Sequence, residues 1–378
     1  MMIGVTGYPI YIGSFWYYGN TGRMAFPIVA GAILGVSAGL LTTSAGYIAV
    51  TYAEEKDKGL YRAIQWSSVA FGATVGGCIA LGINFHATTA SVPKSIYITF
   101  IVIQICAIGI AALIMDVNDV VRCDGTSVAI HTHSGLKNEI KGVLKLFLDW
   151  RMLVLIPACF CGELLLSLQS SINGYAFNLR TRTLNSLLTN LLPIPFIYLF
   201  GKGILDNERL GSRKRRGLIA IALAAVWCTG SYIALIVWLH SWDFNRAIKG
   251  PDIDWTDAAY PGAVVVYLCY GIQYGFLPNL VLWVLGSLSN QPDKLSQYAA
   301  YFIAWLSVGT TIAFALDSVK TPYLNQGAAY FGIVVGLALP GLAFICYKCT
   351  TDSKYYVEEN VFVPKHVQLE KAELLEQE

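Results

Sequence analysis

Long apolar runs separated by short polar connections dominate the chain. Ten runs meet or approach the roughly 20 residues that a helix needs to cross the hydrocarbon core of a bilayer. They lack the alternation of barrel strands, so each predicts a helix that satisfies its own backbone hydrogen bonds. The predicted spans lie near residues 3–18, 25–51, 61–84, 95–115, 152–175, 184–205, 217–240, 262–286, 297–316 and 326–347.

The longest internal polar connection divides these spans into four and six. Its end, Leu136 to Trp150, places apolar residues at helical spacing, with Lys137, Lys141 and Lys145 on another face. This pattern predicts an amphipathic helix lying on the headgroups. The expected regions are an N-terminal helical half of four spans (1–115), a cytoplasmic central loop (116–151), a six-helix half (152–347) and a cytoplasmic tail (348–378); the family resemblance described below implies that the first half is incomplete.

Composition sets the solvent of the chain. Of its 378 residues, 55% are hydrophobic and only 13% are charged, with a mean hydropathy of +0.54. A soluble domain carries about 25% charged residues, and a nucleic-acid binder needs a basic face. The sequence therefore predicts an all-α integral membrane protein whose partner is the lipid bilayer, and it argues against a cytosolic enzyme or a nucleic-acid-binding protein.

The basic residues are divided unequally between the two sets of loops. With the N-terminus in the cytoplasm, 19 of the 26 Lys and Arg residues fall on the cytoplasmic side. The positive-inside rule therefore predicts that both termini are cytoplasmic, although it does not separate a plasma membrane from a vacuolar or endosomal one. The other seven are Arg23, Lys94, Arg180, Arg182, Arg246, Lys249 and Lys320.

No motif points to catalysis or to a cofactor. The phosphate-loop, G-x-S-x-G and HExxH patterns are missing from the sequence, and most of the nine cysteines lie in apolar runs, where a thiol acts as a small hydrophobe. His131 and His133 have no partners at metal-ligand spacing. We expect neither enzymatic activity nor a bound metal or cofactor.

Glu163 is the one charged side chain predicted deep inside a span. A charge at the bilayer centre costs about 2.5–3.5 kcal/mol on insertion scales. Glu163 is therefore either protonated or facing a polar cavity, which indicates a proton-linked role. The alternative is a neutral Glu163 hydrogen-bonded to a neighbouring helix.

Amide side chains form the rest of the predicted binding site. Gln169 and Asn173 follow Glu163, Asn185 begins the next span, and Gln273 lies in the eighth. Amides donate and accept hydrogen bonds, so they can bind a solute without a charge; they can equally join helix to helix. Separately, the tandem GxxxG of Gly31, Gly35 and Gly39 predicts close helix packing.

Eight segments spread over residues 7–323 resemble one family, the fungal branch of the Uncoordinated-93-like proteins within the major facilitator superfamily. The most specific are NLRTRTLNSLL from Asn178 and VVRCDGT from Val120. The others are GYPIYIG from Gly7, GAILGVSAGLL from Gly31, ALGINFH from Ala80, DWTD from Asp254, LGSLSN from Leu285 and DSVKTPY from Asp317.

The resemblance implies two six-helix bundles around a central cavity. GYPIYIG would then begin the third helix of the family, so we expect the sequence to be an incomplete gene model or a truncated form; a genuine ten-helix protein is the alternative. Asp206 and Arg209 resemble the superfamily's cytoplasmic loop motif, which implies a gating role. In the tail, Glu370, Leu374 and Leu375 resemble an acidic dileucine sorting signal.

Two classes of function follow from the resemblance. One is a secondary transporter that moves a small solute or ion by alternating access. The other is a non-transporting regulatory or trafficking partner of an ion channel or receptor.

Overall fold

The computed structural model describes residues 1–51, 58–84, 94–114, 136–289 and 292–350. In these ranges the chain is helical, and the strand-like pairing is limited to one bridge between Phe177 and Ile253. The chain divides into two compact units, Met1–Thr132 and His133–Glu378. Each unit has its own packing.

The first unit contains four described helices. α1 packs against α2 and α4. Gly4 and Gly7 of α1 allow a close crossing, because a Cβ on Gly7 would meet the Ser37 side chain of α2 at 2.3 Å. The helices are α1 (Met2–Thr21), α2 (Ala25–Thr51), α3 (Lys58–Asn84) and α4 (Lys94–Ala111).

Among the described residues, the glycine motif of α2 has no neighbour at close range. A Cβ on Gly31 would lie 3.7 Å from the Tyr11 ring, and one on Gly35 or Gly39 would meet nothing within 4 Å among the described residues. The glycines of α1 make the close approach instead. A GxxxG motif shows that a helix face is small, but it does not show whether a neighbouring helix lies on that face.

The second unit contains seven described helices around one apolar core. α6 and α9 are the most buried of the long ones. The N-termini of α6, α7 and α8 are capped by Asp149, Asn178 and Ser212. Each of these side chains accepts a hydrogen bond from a backbone N–H group in the first turn of its helix. The helices are α5 (Leu136–Leu146), α6 (Trp150–Ala176), α7 (Leu179–Leu205), α8 (Arg213–Ser241), α9 (Tyr260–Gly286), α10 (Pro292–Ser318) and α11 (Tyr323–Cys349).

Eight helices in the described part of the chain are long and apolar enough to cross a membrane: α2, α4 and α6–α11. The prediction of an all-α multi-pass membrane protein is therefore confirmed. The remaining two predicted spans are also helices, but the apolar part of α3 is shorter, Ser67–Ile83. That α1 and α3 cross the membrane stays a prediction.

The predicted amphipathic segment forms α5 and packs against α10. Leu146 is buried at the end of α5, and the Phe147 ring lies 5.1 Å from that of Tyr301. Lys141 and Lys145 are exposed. The position of α5 on a membrane surface remains a prediction.

Candidate functional site

Helix α6 is interrupted at the middle of its span. Pro157 has no N–H to donate and disturbs the regular ladder, and the chain tightens into a 3₁₀ turn over Cys161–Glu163. Glu163 itself has φ −125° and ψ 8°, outside the helical region, before the helix resumes at Leu164. The break holds Glu163 at the junction of two half-helices.

The Glu163 carboxylate accepts hydrogen bonds from two hydroxyl groups on other helices. Tyr274 of α9 donates to Oε1 at 3.5 Å. The Thr310 hydroxyl of α10 lies 3.2 Å from Oε2 and 2.9 Å from the carbonyl oxygen of Leu306, so its one proton is shared between these two acceptors. Glu163 is half-buried, and it belongs to no ion pair within the described ranges. The carboxylate is therefore held in place by neutral donors, and no positively charged side chain in the described ranges pairs with it.

Glu163 borders an open depression of about 450 Å³ on the second unit. Its other lining residues come from one face of α10: Ser307, Thr310, Thr311 and Phe314. Ser307 and Thr311 donate to the carbonyls of Ile303 and Ser307 at 2.8 and 2.7 Å. Since these hydroxyl protons are already donated, the hydroxyl oxygens present lone pairs to the depression.

Two of the predicted amides join three helices. Asn185 of α7 donates to Oδ1 of Asn173 at 3.1 Å and accepts from the Tyr260 hydroxyl at 2.9 Å. Asn173 donates in turn to the Arg182 carbonyl at 3.1 Å. These contacts are the helix-to-helix bonds that the sequence left open as an alternative to solute binding.

The other two amides lie apart from that pair. Gln273 of α9 donates to Ser231 of α8 at 2.8 Å, and its Oε1 has no partner among the described residues. Gln169 packs against Gly271, where a Cβ would lie 2.2 Å from its Nε2, and that nitrogen is likewise unpartnered in the described ranges. Of the five predicted site residues, Glu163 lines the depression; that the five together bind a solute stays a prediction.

The residues of the predicted cytoplasmic loop motif lie just beyond α7. Asp206 is near Trp283 and within electrostatic range of Arg213 and Arg216. Arg209 is exposed, and its backbone N–H donates to Asn207 at 3.2 Å. Glu370, Leu374 and Leu375, like His131 and His133, lie outside the described residues.

Two family-like segments, NLRTRT and DWTD, meet at the opposite end of α7. Asn178 and Arg180 both donate to one oxygen of Asp254, each at 2.5 Å. The hydrogen bond from Arg180 holds the pKa of the Asp254 carboxyl well below its usual range. The ion pair between Arg180 and Asp254 was not predicted from the sequence. The opposite charges of these two residues, in two segments that both resemble the family, were the signal that could have indicated it.

The chain resembles one family of membrane proteins over most of its described length. A family model described as "Ion channel regulatory protein UNC-93" matches residues 1–212, which is more than half of the chain.

Individual relatives extend the similarity beyond residue 212. The chain is 40% identical to a membrane protein of Schizosaccharomyces pombe over 332 residues, covering 88% of this chain and 68% of that protein. It is 30% identical to UNC93-like protein 1 of Arabidopsis thaliana over 341 residues, covering 85% and 71%. It is 26% identical to Notoamide biosynthesis cluster protein O′ of Aspergillus versicolor over 347 residues, covering 92% and 74%.

Proposed function

The chain belongs to the UNC-93 family of multi-pass membrane proteins, and from this premise we propose that it moves a small solute or ion across a membrane, with Glu163 as the ionisable group of the pathway. The proposed mechanism is the alternating access of a major facilitator, in which two helical bundles rock about a site between them.

Glu163 carries the proposal. A carboxylate inside a membrane helix costs about 2.5–3.5 kcal/mol on insertion scales, unless it is protonated or faces a polar cavity. Glu163 lies at a break in α6, and coupling-ion sites of transporters are typically built at such discontinuous helices. Tyr274 and Thr310 orient the carboxylate without neutralising it, so a proton or another cation can do so.

The hydroxyl face of α10 supports an aqueous pathway at this position. Ser307 and Thr311 are exposed on the second unit, next to Glu163. A carboxylate and several hydroxyl oxygens together suit a cation or a hydrogen-bond donor, because all of them can accept. A lipid acyl chain has neither a positive charge nor a hydrogen-bond donor for these oxygens.

The amides contribute less to the proposed site than the carboxylate does. Asn173 and Asn185 use their polar atoms to hold α6, α7 and α9 together. Gln169 and Gln273 each keep one polar atom that is unpartnered among the described residues. Of the four, these two are therefore the better candidates for a direct contact with solute.

A non-transporting role is the second candidate function. The description of the matching family model names ion-channel regulation. In that case the chain would act by binding a channel or receptor in the membrane, and Glu163 would be a buried polar contact between helices. Stable purification with a channel subunit, together with no solute-dependent flux, would favour this function.

The proposal is tested with the purified full chain in liposomes that contain a pH-sensitive dye. A panel of amino acids, sugars, organic cations and alkali salts is added outside, and movement of protons and solute is followed. The expected result is that at least one solute drives a pH change and that Glu163→Gln reduces this change at least tenfold. Asp252→Asn, which alters an exposed loop carboxylate, is the matched control and should behave as wild type.

Two results would overturn the proposal. One is unchanged coupling in a folded Glu163→Gln protein, which would show that Glu163 is not on the pathway. The other is the absence of flux for the whole panel from a protein that elutes as a single species and unfolds cooperatively.

A further inference from the structure

A second group of largely buried polar side chains, separate from Glu163, lies where the loop after α8 meets the ends of α6, α10 and α11. We call it the Arg246 cluster. Arg246 comes from the loop, and its side chain is only 12% exposed. The other members are Ser171, Asp317, Tyr323, Gln326 and Tyr330.

Arg246 is the centre of the cluster. Nη2 of its guanidinium pairs with Asp317 at 2.5 Å and lies 3.4 Å from Oε1 of Gln326. Nη1 donates to Ser171 at 3.2 Å, and the group stacks over the Tyr323 ring at 4.0 Å. These contacts fix the guanidinium group in position.

The cluster has more donors than acceptors. Nε of Arg246, Nε2 of Gln326 and the hydroxyl of Tyr330 are buried and have no acceptor among the described residues. Gln326 is 1% exposed and Tyr330 is 2% exposed. The two follow each other at i, i+4 on α11 and therefore share a helix face. Tyr330 lies within electrostatic range of both Asp317 and Arg246.

The buried Nε of the guanidinium and two further buried donors near it have no acceptor among the described residues, a combination that suits a hydrogen-bond acceptor. Leaving such donors unpaired is unfavourable, and charge-assisted bonds from arginine to an anion are among the strongest in proteins. Asp317 is 26% exposed, so one edge of the cluster reaches the surface. A small anion fits this chemistry better than a cation, which would find three N–H or O–H groups and one paired carboxylate.

We propose that the Arg246 cluster binds a small monovalent anion, a halide or a carboxylate, through Arg246 Nε, Gln326 Nε2 and the Tyr330 hydroxyl. Asp317 holds the guanidinium in place and competes only for Nη2. The site is distinct from Glu163, and it does not depend on whether the chain transports anything.

The test uses the purified full chain in detergent at constant ionic strength, with gluconate replaced stepwise by chloride or by formate. The unfolding temperature is measured at each concentration. The wild type should show a saturable rise for at least one of the two anions, and the choice of anion separates a halide site from a carboxylate site. A linear, non-saturating change for both anions would overturn the proposal.

Two variants assign the effect to the cluster. Tyr330→Phe removes only a hydroxyl, so it should weaken half-saturation at least fivefold while leaving the unfolding temperature in gluconate unchanged or higher. Gln326→Glu replaces a donor with a carboxylate oxygen next to Arg246, so it should abolish the saturable rise in a protein that still folds. Tyr267→Phe, which alters a buried tyrosine of α9 outside the cluster, should retain wild-type affinity.

The variants also supply the contrary outcomes. Wild-type half-saturation in both Tyr330→Phe and Gln326→Glu would show that water alone satisfies these donors and that anions act elsewhere. Glu163→Gln should keep the wild-type response to anions. The anion-site proposal can therefore hold even if the transport proposal fails.

Discussion

At the scale of single residues, Asn185 shows how a buried polar side chain in this membrane protein can bond to side chains of other helices. Asn185 is fully buried, with both ends of its amide bonded, to Asn173 and to Tyr260. Within a bilayer there is no competing water, so an amide of this kind must find partners on neighbouring helices. Such a residue stabilises the arrangement of α6, α7 and α9.

The first prediction concerns this amide. Asn185→Ala leaves Oδ1 of Asn173 and the Tyr260 hydroxyl without a partner, so we expect the free energy of unfolding to fall by about 1–2 kcal/mol. Asn190→Ala is the matched control, since Asn190 only donates to the Ser186 carbonyl of its own helix, at 2.8 Å. The measurement is denaturant unfolding in mixed micelles.

The comparison of the two variants also tests the alternative for Asn185. An equal loss of stability in both would argue against the inter-helix role. A loss of solute flux without a loss of stability in Asn185→Ala would instead favour direct solute binding.

At the scale of helices, one close crossing positions Glu163 against its donors. Gly309 of α10 lies so near α6 that a Cβ there would be 2.0 Å from the Phe160 carbonyl oxygen. Phe160 directly precedes the 3₁₀ turn that ends at Glu163, and Thr310 directly follows Gly309. The missing side chain therefore allows the contact between Thr310 and the carboxylate.

The second prediction concerns this crossing. Gly309→Ala should force α10 away from α6, because the clash is with backbone and cannot be relieved by a rotamer change; we expect a loss of about 1–3 kcal/mol of stability. Gly230→Ala is the control, since a Cβ at Gly230 of α8 meets nothing within 4 Å in the described chain. That control should be neutral or slightly stabilising, because alanine favours helix more than glycine does.

The readout is the unfolding temperature together with flux. A Gly309→Ala protein with wild-type stability would show that the two helices separate at no cost. Retained coupling through Glu163 in such a protein would show that the Thr310 contact is dispensable.

At the scale of the whole molecule, charge is sorted along the length of the helices. α7 begins next to Arg180 and ends next to Asp206, and a helix of 27 residues is about 40 Å long at 1.5 Å per residue. The run Arg213–Arg216 lies at the same end as Asp206, whereas Arg246 and Lys249 follow the far end of α8. From the positive-inside rule we expect the end that carries this run of four basic residues to be cytoplasmic.

The third prediction follows from that sorting. In sealed, cytoplasmic-side-out vesicles, added protease should digest epitope tags at either terminus of the chain and leave a tag inserted after Lys249 protected. Lys249 is a suitable position because its side chain is 85% exposed. Protection of either terminal tag, or digestion of the Lys249 tag in intact vesicles, would contradict the topology.

The sequence alone determined which solvent the chain occupies and where its helices lie. Runs of about 20 apolar residues and the low charge content are local properties, and the need to satisfy backbone hydrogen bonds in lipid converts each run into a helix. All ten predicted spans correspond to helices within a few residues, and the amphipathic segment forms α5. Glu163 was visible because a charge within such a run is costly whatever surrounds it.

Only the tertiary structure decided which polar groups meet. The partners of Glu163 are 111 and 147 residues away in sequence, and Asp254 lies 74 residues beyond Arg180. A local pattern describes the face that a residue occupies but not the neighbour that the face will find. For that reason the sequence did not indicate that glycines of α1 make the close crossing with α2, or that Asn173 and Asn185 bond to each other.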